Sequence, residues 1–338
     1  MTRTVLVTGA SGLLGQAVAS LLIERGDTVR TFQRGPAPLP NTEAVAGSVA
    51  DRQAVDRAVA GVDAVIHLAA KVSFTGAWSE FESTNITGTR NLIGSARTAG
   101  VGDFVFVSSP SVAHFGDSII GAPAGPADPA RARGNYARSK AAAELIALEA
   151  DSLGFRVTAL RPHIVWGPGD TQLVERVLER AARGRLPLLD SGTALIDTTY
   201  IDNAAAALVR GLDRMEQAHG RHLVITNGQP RPVGELMAGI CLAGGVKPPA
   251  WSIPGAVARA AGTVIERFWL AAGKRGWVKD EPPMTAFLAE QLSTAHWFDQ
   301  RTTREVLDWT PAVGIDEGLE KLATHYGATG ALNRATGK

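Results

Sequence analysis

At 338 residues the chain is about twice the length of a common single domain, so it holds either one large α/β unit or a main domain with a smaller lobe. A hydrophobic share of 45% with 20% charged residues excludes a largely disordered chain. With 34 Lys plus Arg against 33 Asp plus Glu, the net charge is +1, and no basic run is long enough to track a phosphate backbone, which argues against a nucleic-acid partner.

The single cysteine, Cys241, cannot form an internal disulfide, and its apolar neighbours suit a small buried hydrophobe in a reducing compartment. The apolar run Val5 to Val7 is too short for the h-region of a signal peptide. No stretch reaches the ~20 apolar residues of a spanning helix. The longest candidate, Gly255 to Gly273, is broken by Arg259, Glu266 and Arg267, and the expectation is a cytoplasmic protein.

In chain order, strands are predicted at Thr4–Thr8, Thr28–Phe32, Ala64–Leu68, Phe104–Ser108 and Arg156–Leu160. Helices are predicted at Gly12–Arg25, Ala54–Ala60, Glu82–Ala99, Ser139–Ser152 and Leu173–Arg183. Alternating short β-branched runs and longer helical patterns imply β-α-β units. Strands that are apolar throughout imply a doubly wound parallel sheet covered on both faces. The loop from Gly116 to Gly134 shows little periodicity, and loops of such length usually serve a function. Past Trp166 the alternation fades. Residues 1–165 are expected to form a dinucleotide-binding Rossmann domain to which 195–228 return, while 166–194 and 229–330 form a smaller, mostly helical substrate lobe.

Val5 to Thr8 runs into Gly9-Ala10-Ser11-Gly12-Leu13-Leu14-Gly15 and then directly into a helix. Gly9 suits a tight turn, Gly12 close approach of backbone N–H groups to a pyrophosphate, and Gly15 close packing of helix on strand. Strand and helix stand where a dinucleotide site requires them. The second strand ends in Thr31-Phe32-Gln33-Arg34, with no carboxylate for a ribose 2′-hydroxyl and with Arg34 available to a 2′-phosphate. This favours NADP(H) over NAD.

Tyr136-Ala-Arg-Ser-Lys140 places a phenol and an ammonium on one helical face. An ammonium ~4 Å away at an effective dielectric of ~20 contributes ~4 kcal/mol, which would bring a phenol of reference pKa ~10 toward neutrality. Lys140 has an alternative partner in Glu144, one turn on. Upstream, Ser108, Ser109 and Ser111 cluster at the C-terminal end of a strand, where a serine could hold a carbonyl oxygen while Tyr136 delivers a proton.

The order of glycine loop, strand-end serine and Tyr-x-x-x-Lys resembles the extended short-chain dehydrogenase/reductases, matched by Gly9, Gly12, Gly15, Ser109, Tyr136 and Lys140. The likeness continues at His67-Leu-Ala-Ala70, Asn85-Ile-Thr-Gly-Thr89 with Asn91, Arg161-Pro162 and Trp166-Gly-Pro-Gly-Asp170. It implies that Ser109, with Ser111 as the alternative, steadies the carbonyl and that Asn85 supports an active-site water or the lysine. It also implies cofactor contacts from Ser11, Leu13, Leu14, Ser48, Val49, Leu68, Ala69, Ala70, Tyr136, Lys140, Pro162, His163 and Ile164.

Longer strings extend the resemblance to a narrower branch, the 3β-hydroxysteroid dehydrogenase-like enzymes. Within it, the chain is most similar to the bacterial 2-alkyl-3-oxoalkanoate reductases of long-chain olefin and β-lactone biosynthesis. The strings are Pro110-Ser-Val-Ala-His114, Asp197-Thr-Thr-Tyr-Ile-Asp-Asn203 and Phe287-Leu-Ala-Glu-Gln-Leu292 with His296-Trp297. The loop Arg131-Ala-Arg-Gly-Asn135 departs from the family pattern by lacking a proline just before Tyr136. The resemblance implies NADPH-dependent reduction of a 2-alkyl-3-oxo fatty acid. The alternatives are an NAD-dependent 3β-hydroxysteroid or sterol dehydrogenase and a non-catalytic dinucleotide-binding regulator; the intact Ser109, Tyr136 and Lys140 argue against the last. A homodimer on the helices Glu82–Ala99 and Ser139–Ser152 is implied as well, and docking of pathway enzymes stays open.

Trp251, Trp269, Trp277 and Trp297 fall with Phe268, Phe287 and Phe298 in the last third of the chain. They fit a lobe core, an apolar channel for alkyl chains, or a peripheral membrane face together with Arg267, Lys274, Arg275 and Lys279. Arg131, Arg133 and His163 are the candidates for a substrate carboxylate. The remaining histidines show no metal-ligand spacing, and no metal is implied.

Overall fold

The computed structural model describes residues 3–36, 39–73, 75–274 and 286–329, with the side chains of 266, 267, 270–274, 286–288, 328 and 329 outside the description. Seven strands form the main sheet: β1 Thr4–Thr8, β2 Thr28–Gln33, β3 Glu43–Ala46, β4 Ala64–His67, β5 Asp103–Val107, β6 Arg156–Pro162 and β7 His222–Ile225. Every pair is parallel, and the spatial order is β7-β6-β5-β4-β1-β2-β3. Chain direction across the sheet reverses between β1 and β4, which opens a crevice at their C-terminal ends.

Side chains alternate across this sheet with the two-residue period of a strand. Val5, Val7, Val105 and Val107 turn to one face, where α1 (Leu13–Glu24) and a helix Ile201–Asp213 cover them. Leu6, Phe104 and Phe106 turn to the other, under α2 (Arg52–Val59), α3 (Gly88–Thr98) and α4 (Gly134–Glu149). Both faces of these two strands are thus covered, which is why Val5–Val7 and Phe104–Val107 are apolar throughout. Burying one such side chain contributes ~1.5–3 kcal/mol.

A third apolar cluster gathers Trp166, Val174, Leu178, Tyr200, Leu236, Ile240, Cys241 and Leu322, and Leu13, Leu14 and Ala17 of α1 pack against it. Burial pushes the Cys241 thiol up to about 11, in keeping with a packed hydrophobe rather than a nucleophile.

Several boundaries differ from the sequence reading. The helix that carries Tyr136 starts at Gly134, five residues before the predicted Ser139, because Arg133 is the last extended residue before the turn. The loop 116–134 contains a strand, Ile119–Ala122, in a second sheet of four whose order is Arg231–Pro232, Leu195–Ile196, His296–Phe298, Ile119–Ala122. Trp297 lies against Gly121 so closely that any Cβ there would stand 2.7 Å from the indole. The predicted helix Glu82–Ala99 is not uniform: Glu82–Thr87 is a π-helical stretch leading into α3.

Candidate active site

Gly9 has a positive φ of 74°, and a Cβ there would stand 2.9 Å from the Ala69 nitrogen after β4. At Gly15 a Cβ would fall 2.3 Å from the Gly9 carbonyl oxygen, so this glycine lets α1 lie on the turn. Gly12 is different. Its Cβ would meet nothing nearer than 3.5 Å; it is exposed, as is Ser11, and it opens α1 without any side-chain cap. An uncapped helix start with open space above a glycine fits the diphosphate of a dinucleotide, which the N–H groups of the first turn would hold.

Behind the cradle runs a buried hydrogen-bond chain. The Ala69 N–H donates to Thr8 Oγ1 (3.0 Å), Thr8 Oγ1 meets His67 Nδ1 (2.7 Å), and His67 Nε2 meets Thr89 Oγ1 (3.1 Å). Thr89 spends its one proton on the carbonyl of Asn85 (2.6 Å). It must therefore accept from His67 Nε2–H, which leaves Nδ1 to accept from Thr8. Burial, and secondarily the charge of Lys140, push His67 down to about 3, so it is a neutral strut.

Asn85 lies in the π-helical stretch, a kind of irregularity that recurs at functional sites. Its Oδ1 accepts from the Lys71 N–H (2.7 Å), and its Nδ2 donates to the Lys71 carbonyl (3.2 Å) and to Ser139 Oγ (2.9 Å). Ser139 in turn donates to the carbonyl of Tyr136 (2.9 Å). Asn85 thus ties the loop that follows Leu68, Ala69 and Ala70 to the helix of Tyr136, and its side chain bonds Lys71 and Ser139 rather than Lys140. Asn91 does similar service on the other side, donating to the carbonyls of Val49 (3.1 Å) and Ala50 (3.2 Å) beside Ser48.

At the end of β5, Ser109 Oγ accepts from the Ser111 N–H (3.3 Å) and from Ser111 Oγ (3.0 Å), capping the short helix Pro110–Ala113. Its own proton is then free for Tyr136, whose phenolate form it favours. Ser109 thus lies at the phenol of Tyr136 and works against the burial that raises its pKa. Among the three serines, the structure brings Ser109 to Tyr136. Ser108 is buried, with no partner for its hydroxyl among the described residues.

The electrostatics differ from the sequence expectation. Burial pushes Tyr136 up to about 12, with Ser109 pulling the other way, and Lys140 is not among the causes. Burial brings Lys140 itself down to about 7. Its Nζ donates to the carbonyl of Val107 (2.6 Å) and stands 4.1 Å from the Phe106 ring centroid. The alternative pairing with Glu144 is pre-empted. Arg161 takes both oxygens of Glu144 in an ion pair buried at both ends, and it also donates to the carbonyl of Gly125 (2.6 Å).

Pro162 ends β6, and Ile164 then adopts a positive φ of 43°, unusual for a β-branched residue and therefore strained. What holds this turn is the string Asp197–Asn203, whose role no pattern in the sequence revealed. The Thr199 hydroxyl sits between the carbonyls of His163 (2.8 Å) and Ile225 (2.9 Å). Thr198 accepts from the Trp166 indole (2.9 Å), and the Asp197 carbonyl accepts from His163 Nδ1 (2.6 Å). Asn203 bonds Asn227 and the backbone of Ala312 and Val313.

Arg34 is exposed after β2, with no ion-pair partner among the described residues. Of the carboxylate candidates, Arg131 stacks on Phe115 (4.1 Å) and Arg133 is paired with Glu290. His163 is buried and pushed down to about 4 by that burial, so it is a neutral group rather than a cation. Among the aromatics, Trp251 and Phe268 are exposed and Phe298 is buried. Trp277, Arg275, Lys279 and the side chains of Arg267, Lys274 and Phe287 lie outside the described residues. Among the described residues no helix is long and apolar enough to cross a membrane, and no cluster of His, Cys, Asp and Glu is placed to hold a metal ion.

A doubly wound parallel sheet with a glycine cradle and a Ser-Tyr-Lys group at one edge defines an NAD(P)-dependent oxidoreductase. The chain belongs to the NAD dependent epimerase/dehydratase family, whose profile matches residues 5–226. It is 39% identical over 326 residues to a 2-alkyl-3-oxoalkanoate reductase of Stenotrophomonas maltophilia (strain K279a), covering 94% of this chain and 98% of that one. A protein of the same name from Shewanella oneidensis is 33% identical over 330 residues, covering 94% and 84%. Among solved structures, MoeE5 in complex with UDP-glucose and NAD shares the fold with a TM-score of 0.73 at 23% identity, over 96% of this chain and 99% of that one.

Proposed function

We propose that the protein uses NADPH to reduce the ketone of a 2-alkyl-3-oxoalkanoic acid to the 3-hydroxy acid. The observation that carries the reading is the gathering of Ser109, Tyr136 and Lys140 at the C-terminal end of β5, on the sheet edge that also bears the glycine cradle. The relatives named above point to the same substrate class.

A reduced nicotinamide, when bound, supplies the hydride that adds to the ketone carbon. Ser109 and Tyr136 meet the ketone oxygen, and the phenol gives it a proton as the C=O π bond breaks. Lys140, titrating at about 7, stands ready to return a proton to the phenolate. Asn85 keeps the helix of Tyr136 and the loop after β4 in register and is a positioning residue.

The preference for NADPH rests on Arg34 at the end of β2, where the sequence offers no carboxylate. A charge-assisted bond to a 2′-phosphate contributes ~1.5–3 kcal/mol, so Arg34→Ala should raise KM for NADPH about 10–100-fold and leave that for NADH nearly unchanged. The assay is cofactor oxidation against 2-alkyl-3-oxo acids, 3-ketosteroids and keto sugars. Faster turnover of a steroid or a keto sugar, or equal use of NADH, would overturn the reading.

A further inference from the structure

Arg133 and Glu290 lie 157 positions apart and form an ion pair between two unequal partners. The Arg133 side chain is 52% exposed, whereas that of Glu290 is 7% exposed. One end can therefore be reached by a solute while the other is fixed in the protein. The guanidinium also lies against the backbone of Gly116, where a Cβ would stand 2.5 Å from Cζ.

Glu290 uses only part of its bonding capacity. Its Oε1 is buried without a hydrogen-bond partner among the described residues, 3.9 Å from His114 Nδ1. That nitrogen accepts from Gln291 Nε2 (3.0 Å), while His114 Nε2 donates to the carbonyl of Asp117 (2.9 Å). The pair is joined through short stretches of chain to the reacting groups: Arg133 is three residues before Tyr136, and His114, 3.9 Å from Glu290, follows the short helix that Ser109 caps. A 3-oxo acid carries its carboxylate two bonds from the ketone, so a cation that reads it has to stand next to Ser109 and Tyr136.

We propose that Glu290 is a resident stand-in for the substrate carboxylate: it holds Arg133 until an acid arrives, Arg133 then changes partner, and His114 takes one proton from solvent to pair with Glu290. This rests on the functional reading above and adds to it a competitor for the substrate built into the fold. A buried carboxylate that loses its cation is strongly destabilising unless the charge is compensated.

Of the three clustered imidazoles, His114 is the one suited to respond. His296 Nε2 is held by Thr294 (2.8 Å), and burial keeps that ring down to about 2; His163 is tied to the Asp197 carbonyl. Burial lowers His114 too, but its bond to the Asp117 carbonyl and the charges of Glu290 and Asp117 oppose this, and the Arg133 charge is one of the remaining depressing influences. Moving Arg133 onto a bound anion removes that influence, and Gln291 has to release Nδ1 as the proton arrives.

The test is binding of a 2-alkyl-3-hydroxyalkanoic acid, and of its methyl ester, to the NADPH-saturated enzyme, a dead-end complex in which no hydride can move. Calorimetry in buffers of different ionisation heat should show about one proton taken up per acid and none per ester. Between pH 7 and 8.5 the Kd of the acid should rise about tenfold per pH unit. Glu290→Gln should abolish the uptake and raise the acid-over-ester affinity ratio about tenfold, since Arg133 no longer has a rival anion; Arg133→Ala should erase the ratio. The ester affinity reports in each variant whether the site is still folded. Acid binding without proton uptake, or a Glu290→Gln ratio equal to wild type, would overturn the stand-in while 3-oxo acid turnover persists. Absence of both acid binding and 3-oxo acid turnover would instead remove the functional reading and the stand-in with it.

Discussion

Tyr136→Phe is expected to lower kcat for ketone reduction about 10²–10⁴-fold while KM changes little, as measured by steady-state NADPH oxidation. The ring keeps its packing, and Asn85 and Ser139 still hold the helix through the backbone carbonyl of residue 136. Only the phenolic hydroxyl beside Ser109 disappears. Ser109 keeps its own hydrogen and can still bond the ketone oxygen, which is why binding should survive when protonation does not. With Tyr136 at about 12, the wild-type phenol is protonated throughout the neutral range, so a loss smaller than tenfold would mean that another group supplies the proton.

Acid should destabilise the protein steeply as the pH falls from about 6.5 to 4.5. His67, His163 and His296 are buried, and burial depresses them to about 3, 4 and 2. In the unfolded chain each takes a proton near pH 6.5. Below that pH the unfolded state binds more protons than the folded one, so stability is complete above about 6.5 and declines as the pH falls. Each histidine costs ~1.4 kcal/mol per pH unit, and at pH 4.5 the three together cost on the order of 8 kcal/mol. That is comparable with the ~5–15 kcal/mol that stabilises a typical domain. Far-UV circular dichroism against pH would show it. A chain still folded at pH 4 with an undiminished Tm would contradict the neutral assignment of these rings.

Much of this architecture could be read before any coordinates. Thr4–Thr8 was expected with the bounds it has, because a buried central strand is an unbroken apolar run that ends at a glycine. The strand Glu43–Ala46 escaped notice because it is the outer strand of the sheet, largely exposed, and so carries no apolar signature. Ile119–Ala122 was hidden for another reason: Gly121 has a positive φ, and the strand exists only because His296–Phe298 arrives beside it from far along the chain.

The site divides in the same way. The glycines, Tyr136 and Lys140 stand out by spacing, because their geometry is local to one turn or one helix, whereas Ser109 is picked from three neighbouring serines only through the family resemblance. The direction in which Lys140 points is set by the Val107 carbonyl on another element. The partners of Glu144 and Arg133 are settled across 17 and 157 positions, a distance over which no periodicity speaks. The string Asp197–Asn203 could be recognised as a resemblance, yet its bracing of the His163 turn becomes apparent only from its bonds.

The wide turn at Glu82–Thr87 has a bearing on how this enzyme can diverge. A π-helical turn takes about one residue more than the ~3.6 of regular winding, so deleting one position there would restore ordinary pitch and leave the residues downstream facing as they do now. Thr89 would stay on His67 and Asn91 on Val49 and Ala50, whereas Asn85, inside the turn, would lose its place between Lys71 and Ser139. Descendants of this protein can therefore shed that extra position and keep the outer braces of the cleft, giving up only the tie that Asn85 makes to the helix of Tyr136.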